Sequence, residues 1–92
     1  MEDRITLEKI EKYRKITSKA LKLAEKAIAK GKEKEASEII EMVSCYLKDS
    51  EYFEKKGDYV NCFAAINYAH GWLDSGARLK IFLVKDRKLF TI

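Results

Sequence analysis

The chain has 92 residues, of which 47% are apolar and 37% charged, with no proline and a formal net charge of +4. This length suits one small domain and leaves no room for a separate catalytic domain, and the apolar content excludes a disordered protein. No apolar run approaches the roughly 20 residues that span a bilayer, and the charged N-terminus lacks the apolar core of a secretion signal. We therefore expect a cytoplasmic protein without membrane contact, in which Cys45 and Cys62 are free thiols, Cys62 being buried.

Two amphipathic helices are predicted in the first part of the chain. Apolar residues recur every three or four positions over residues 3–30, which places them on one face of a helix that Gly31 ends. The same spacing predicts a second helix over residues 32–56. Gly57 closes that helix, and Asp58 is a suitable N-cap for the next one.

The third predicted helix, residues 58–84, is apolar around roughly half of its circumference, enough to face two partner helices at once. We therefore predict an all-α fold, an antiparallel up-down-up three-helix bundle in one domain (residues 1–92), with the third helix at its centre. The tail, residues 85–92, is expected to fold back and lay three apolar side chains on the bundle: Leu89, Phe90 and Ile92.

The second turn and the third helix also carry a family resemblance. The stretch YFEKKGDYVNCFAAINYAHGWLDSGARL, residues 52–79, resembles an archaeal family of domains of unknown function, number three hundred and fifty-seven. The likeness lies in Tyr52-Phe53, Gly57-Asp58-Tyr59, Phe63, the block from Ala65 to Leu79 and the Leu-Phe-Thr that begins at Leu89. The resemblance implies a small three-helix bundle in the archaeal cytoplasm. It implies no activity, and no catalytic residue is carried over from it.

A polar strip interrupts the apolar surface of the third helix. Its candidate residues fall in one narrow sector: Asn67, His70, Asp74 and Arg78. We interpret the strip as the solvent-facing rim of a helix that is otherwise buried. Two alternatives stay open: a small-ligand or catalytic site, in which Asp74 orients His70 and Arg78 binds an anion, and a buried polar network that fixes the helix register.

Metal and cofactor sites are not expected. One histidine with one aspartate supplies half of a typical metal shell, and the chain contains no second histidine. No arrangement of cysteine, histidine and an acidic or amide residue along the chain suggests a nucleophile.

Gly71 and Gly76 stand inside the third helix, where each costs about 1 kcal/mol relative to alanine. Both are therefore candidate close-packing positions. Gly76 lies on the apolar side, so we expect an aromatic ring or a neighbouring helix against it. Gly71 lies on the polar strip, where a close contact would indicate a ligand or a second protein chain.

A lysine stripe runs along the first predicted helix, opposite its apolar face. It is a candidate anion patch made of six residues: Lys12, Lys15, Lys19, Lys22, Lys26 and Lys30. The simplest interpretation is a solvated face. The alternative is a weak nucleic-acid or polyanion binder, but the stripe contains no arginine and no aromatic side chain for base stacking, so nucleic acid is the less favoured partner.

The composition of the third helix favours one of three functional hypotheses. Phe63, Tyr68, Trp72 and the following Phe82 make its apolar surface larger than two slender helices are expected to cover. Exposed apolar surface marks interfaces, and tryptophan and tyrosine are frequent binding anchors. The sequence therefore favours a non-enzymatic helical interaction module that acts by self-association or by binding a protein partner. The alternatives are the polyanion binder and the ligand or catalytic site at the polar strip.

Overall fold

A computed structural model describes residues 4–92, which form three helices: α1 (Leu7–Glu25), α2 (Glu33–Lys55) and α3 (Tyr59–Arg78). The helix α3 packs against both of the others, whereas α1 and α2 touch each other much less. The predicted all-α three-helix bundle with a central third helix is confirmed. The predicted start of the first helix, at residue 3, lies outside the described residues.

Helix capping explains three of the helix boundaries. The hydroxyl of Thr6 accepts a hydrogen bond from the backbone N–H of Lys9 and so begins α1. Asp58 caps α3 in the same way, through the backbone N–H of Asn61 at 3.1 Å. Gly57 has a φ of +74°, the left-handed conformation that ends α2. The predicted roles of Gly57 and Asp58 are thus confirmed.

The first helix ends five residues before its predicted end at Lys30. Residues 27–29 leave the helix and pair with residues 81–83: the N–H of Leu83 donates to the carbonyl of Ala27 at 2.7 Å, and that of Ala29 to the carbonyl of Ile81 at 2.9 Å. Ile28 and Phe82 face each other in this antiparallel bridge. The same backbone groups cannot also continue an α-helix, so the long-range pairing ends α1 at Glu25.

The third helix ends at Arg78 instead of residue 84. Lys80 has a φ of +60°, and the N–H of Ile81 turns back to the carbonyl of Gly76 at 2.8 Å. This reversal is a Schellman motif with a lysine at the position that glycine usually occupies. It directs the chain into the extended segment that pairs with residues 27–29.

The core lies on one side of α3, where small residues alternate with larger ones: Cys62, Ala65, Ile66, Ala69, Leu73, Gly76 and Ala77. Phe82 and Phe90 follow the helix and are buried against it. Leu89 packs partly against the same core, as predicted. Ile92 departs from the prediction and remains 39% exposed.

Gly76 and Gly71 provide a matched test of this packing. A Cβ atom at Gly76 would stand 2.5 Å from Phe82 Cε2, so the buried ring would have to shift, and Gly76→Ala should destabilise the fold by about 1–3 kcal/mol. A Cβ atom at Gly71 would meet nothing within 4 Å. Gly71→Ala should therefore stabilise the protein by about 0.5–1 kcal/mol.

Urea unfolding followed by circular dichroism measures both free energies. A stabilising effect of Gly76→Ala would contradict the packing of Phe82 on α3.

Candidate functional site

The polar strip lines a cleft between α1, α3 and the tail, with a volume of about 380 Å³. The helix α3 contributes Asn67, His70, Gly71 and Asp74, and α1 contributes Thr17 beside Tyr13 and Ile16. Lys88 closes the cleft from the tail. The strip is therefore concave at its centre rather than a flat rim, while Asn67 and Gly71 are exposed as expected for a solvent-facing strip.

His70 joins three parts of the chain. Its Nε2 lies 2.7 Å from the carbonyl oxygen of Leu89, and its Nδ1 lies 3.0 Å from the hydroxyl of Thr17. The carbonyl can only accept, so Nε2 carries a hydrogen, and in the neutral ring Nδ1 accepts from the hydroxyl. Both ring nitrogens are therefore engaged in contacts within the fold.

Asp74 also holds the tail. One carboxylate oxygen accepts a hydrogen bond from the backbone N–H of Thr91 at 2.9 Å and lies 3.7 Å from His70 Nε2. Arg78 does not join this group, because it lines a different cleft at the end of the bundle. The structure thus brings His70 and Asp74 together and separates them from the third residue of the predicted ligand or catalytic site.

The polar groups at the centre of the cleft connect the tail to α1 and α3. Thr17 is buried, His70 and Asp74 are each about one quarter exposed, and together they tie the tail to two helices. Residues 4–92 contain no group of three histidine, cysteine, aspartate or glutamate side chains placed to hold a metal ion. His70 and Asp74 form their hydrogen bonds with the backbone of the tail and with the hydroxyl of Thr17.

The two helical glycines have different surroundings. Gly76 meets the ring of Phe82 and the side chain of Ile39, the aromatic contact that its apolar position predicted. Gly71 lies on the open wall of the cleft, with nothing placed within 4 Å of its missing Cβ atom. Residues 4–92 thus place no close neighbour against Gly71.

The lysine stripe is exposed along its whole length, from Lys12 to Lys30. Its geometry is less regular than predicted, because Lys26 caps α1 and Lys30 lies beyond the helix. Lys12 and Lys15 share a cleft of about 660 Å³ with Glu8 and Glu11, whose negative charge weakens the local field. The stripe is a dispersed set of cations rather than a concentrated patch.

Sequence reasoning missed a polar network centred on Arg14. Its guanidinium donates to the carboxylate of Glu54, to the hydroxyl of Ser50 at 3.1 Å and to the sulfur of Cys62 at 3.4 Å. Arg14 therefore connects α1 to α2 and α3. Burial raises the pKa of the Cys62 thiol, so the sulfur stays protonated and unreactive at neutral pH.

An arginine on α1 and a serine 36 residues later carry no local signal of this contact. Ser50 is buried, and a buried hydroxyl requires hydrogen-bond partners, but this burial is visible only in the folded chain. The network holds the helices together and offers no accessible nucleophile.

A second surface of α3 is exposed and apolar. Tyr68, Trp72 and Leu79 fall within about 40° of one another on the helix and are 63%, 39% and 70% exposed. The ring of Tyr68 lies against that of Tyr46 on α2, with centroids 5.5 Å apart. Met42 of α2 lies beside Trp72. We call these five residues the aromatic face.

An acidic rim borders the aromatic face. Beside Trp72, a cleft of about 480 Å³ is lined by Glu35, Glu38 and Glu41 together with Ile39 and Met42. Lys32 lies 3.9 Å from Glu35, and no basic residue lines the cleft itself. The local charge is therefore negative on a protein whose net charge is positive.

The comparison with protein families agrees with the resemblance noted above. A family model described as a protein of unknown function (DUF357) matches residues 12–82. That span includes the Gly57-Asp58-Tyr59 turn and the whole of α3. Neither the curated proteins nor the solved structures that were searched give a match. Among residues 4–92, no helix combines the length and apolar character that crossing a membrane requires.

The role assigned to Asp74 can be tested through the tail. In an Asp74→Ala variant the N–H of Thr91 loses its acceptor, so its amide exchange should accelerate by up to about tenfold, the equivalent of one net hydrogen bond. Asp49→Ala is the matched control, because it removes an exposed aspartate of α2 that does not line the cleft. Amide exchange by nuclear magnetic resonance measures both variants, and equal rates in the two would contradict the assigned role.

Proposed function

The chain belongs to the DUF357 family of proteins of unknown function, and we propose that it is a non-enzymatic module that binds a partner protein through the aromatic face. The observation that carries this proposal is the exposure of Tyr68, Trp72 and Leu79 on one side of α3. Large exposed apolar patches on small proteins are usually interfaces, and tryptophan and tyrosine dominate the energetics of such sites.

The acidic rim indicates the chemistry of the partner. Three glutamates surround the Trp72 cleft, so a segment that inserts apolar side chains there gains from flanking lysines or arginines. A basic amphipathic helix has both features, and it suits a shallow groove between two helices. We therefore propose a basic amphipathic helix as the partner segment.

A second copy of the chain is a less favourable partner for the aromatic face than a basic amphipathic helix. A symmetric dimer through the aromatic face would place the same acidic rim of both copies at one interface. Like charges brought together at an interface oppose association. The charge of the rim thus favours a different protein over self-association.

The chemistry of the polar groups supports a binding role without catalysis. Both ring nitrogens of His70 hold other parts of the fold, and Arg78 points into a separate cleft. Cys62, the one thiol in the core, is buried and protonated. Within residues 4–92, Cys45 on α2 is the exposed thiol, and it lines neither the Trp72 cleft nor the polar cleft.

Selection from a phage-displayed library of random helical peptides tests the proposal on the intact protein. Peptides that bind the immobilised chain should be enriched in lysine and arginine around two or three apolar anchors. Trp72→Ala should weaken a selected peptide by about 30-fold, the cost of a central anchor residue. Leu23→Ala is the matched control, since Leu23 is exposed to the same 39% on α1 and should leave binding unchanged.

Added salt should weaken the interaction, because the rim charges are solvent-exposed. Selected peptides without excess positive charge, or binding that Trp72→Ala leaves intact, would overturn the proposal. A dimer in sedimentation that Trp72→Ala dissociates would replace the partner with a second copy of the chain.

A further inference from the structure

A second cleft lies at the end of the bundle where α3 ends, with a volume of about 510 Å³. Its apolar walls come from the end of α3, from the segment that follows the helix and from the last residue of the tail: Ala77, Phe82, Leu83, Val84 and Ile92. Leu83 is 60% exposed, so this apolar surface is open to solvent. It is separate from the aromatic face, whose residues do not line it.

Three cations line the same cleft: Arg78, Lys80 and Lys85. All three are exposed, and no acidic residue is among the lining residues. None of them forms a salt bridge within residues 4–92. The cleft therefore combines an apolar interior with positive charges that the described chain does not neutralise.

Lys80 occupies an unusual backbone position. Its φ of +60° lies in the left-handed region, which costs a side-chain-bearing residue about 1–2 kcal/mol and a glycine almost nothing. The other two left-handed positions of the described chain, Gly31 and Gly57, are glycines. At Lys80 the chain carries a cation where stability alone favours glycine, and that cation faces the cleft.

We propose that this end cleft binds a single amphipathic anion, a carboxylate or phosphate attached to an apolar chain or ring. The anionic group would pair with Arg78, Lys80 and Lys85, and the apolar part would cover Leu83, Val84 and Ile92. A free inorganic anion in this cleft would leave the apolar walls in contact with water. A neutral hydrophobic molecule would leave the three cations without a partner. The cleft also lies in the size range of small-molecule sites, about 300–1,000 Å³.

The experiment uses defined probes on the isotope-labelled, intact protein. Decyl phosphate below its micelle concentration should give saturable chemical-shift changes confined to residues 77–85 and Ile92. Decanol, which lacks the charge, and inorganic phosphate, which lacks the chain, should each bind at least about tenfold more weakly. Vesicles of an anionic phospholipid distinguish a free molecule from a membrane surface and should not bind more tightly than the soluble probe.

Lys80→Gly separates a binding role from a structural one. The variant removes the cation and relieves the left-handed backbone, so it should be more stable than the parent and still bind decyl phosphate about tenfold more weakly. Lys19→Ala, an exposed lysine on α1, controls for the loss of one charge and should bind normally.

Leu83→Ser should weaken decyl phosphate and leave inorganic phosphate unchanged. Several results would overturn the proposal: unsaturable shifts over the whole surface, equal binding of decanol, unchanged binding by Lys80→Gly, or binding to vesicles alone.

Discussion

The fold depends on the small fraction of the surface of α3 that α1 and α2 can cover. The buried residues of α3 span about 120° of its circumference, and four of the seven are alanine or glycine. Such small side chains let α1 and α2 approach α3 closely from one side, where dispersion contacts are strongest. The remaining arc has no helix left to cover it. The polar strip and the aromatic face are both consequences of that uncovered arc.

The contact between Gly76 and Phe82 organises the end of the bundle. Because Gly76 has no side chain, the ring of Phe82 packs directly on the helix. This contact places the following residues across α3. Those residues then pair with residues 27–29, which ends α1 and connects it to α3 by backbone hydrogen bonds. The left-handed Lys80 is the hinge of this reversal, so the cleft that it faces arises from the same packing.

Sequence reasoning predicted those parts of the fold that depend on the spacing of residues within one segment. Apolar periodicity identified three helices and the central one, and the position of Gly76 on the apolar side predicted its aromatic neighbour. The ends of α1 and α3 were predicted wrongly, because residues 27–30 continue the helical pattern and their pairing with residues 81–83 is long-range. Neither of these two segments contains a local pattern that predicts its pairing with the other.

The candidate site shows the same division between local and long-range information. Helical spacing placed Asn67, His70 and Asp74 on one strip, but the tail that His70 and Asp74 hold is a tertiary feature. Arg78 shares their sector of the helix and is still separated from them, because it lines a different cleft together with residues 82–85 and Ile92. The contacts of Arg14 span 36 to 48 residues and were equally invisible in the sequence.

The function proposed for the chain requires that the aromatic face be uncovered in the free protein. Trp72 is the only tryptophan, so its fluorescence reports on that face alone. In a monomeric sample, acrylamide should quench this fluorescence readily, and a bound basic amphipathic peptide should protect it. Blue-shifted emission that acrylamide does not quench in the free monomer would place Trp72 in the core and contradict the account.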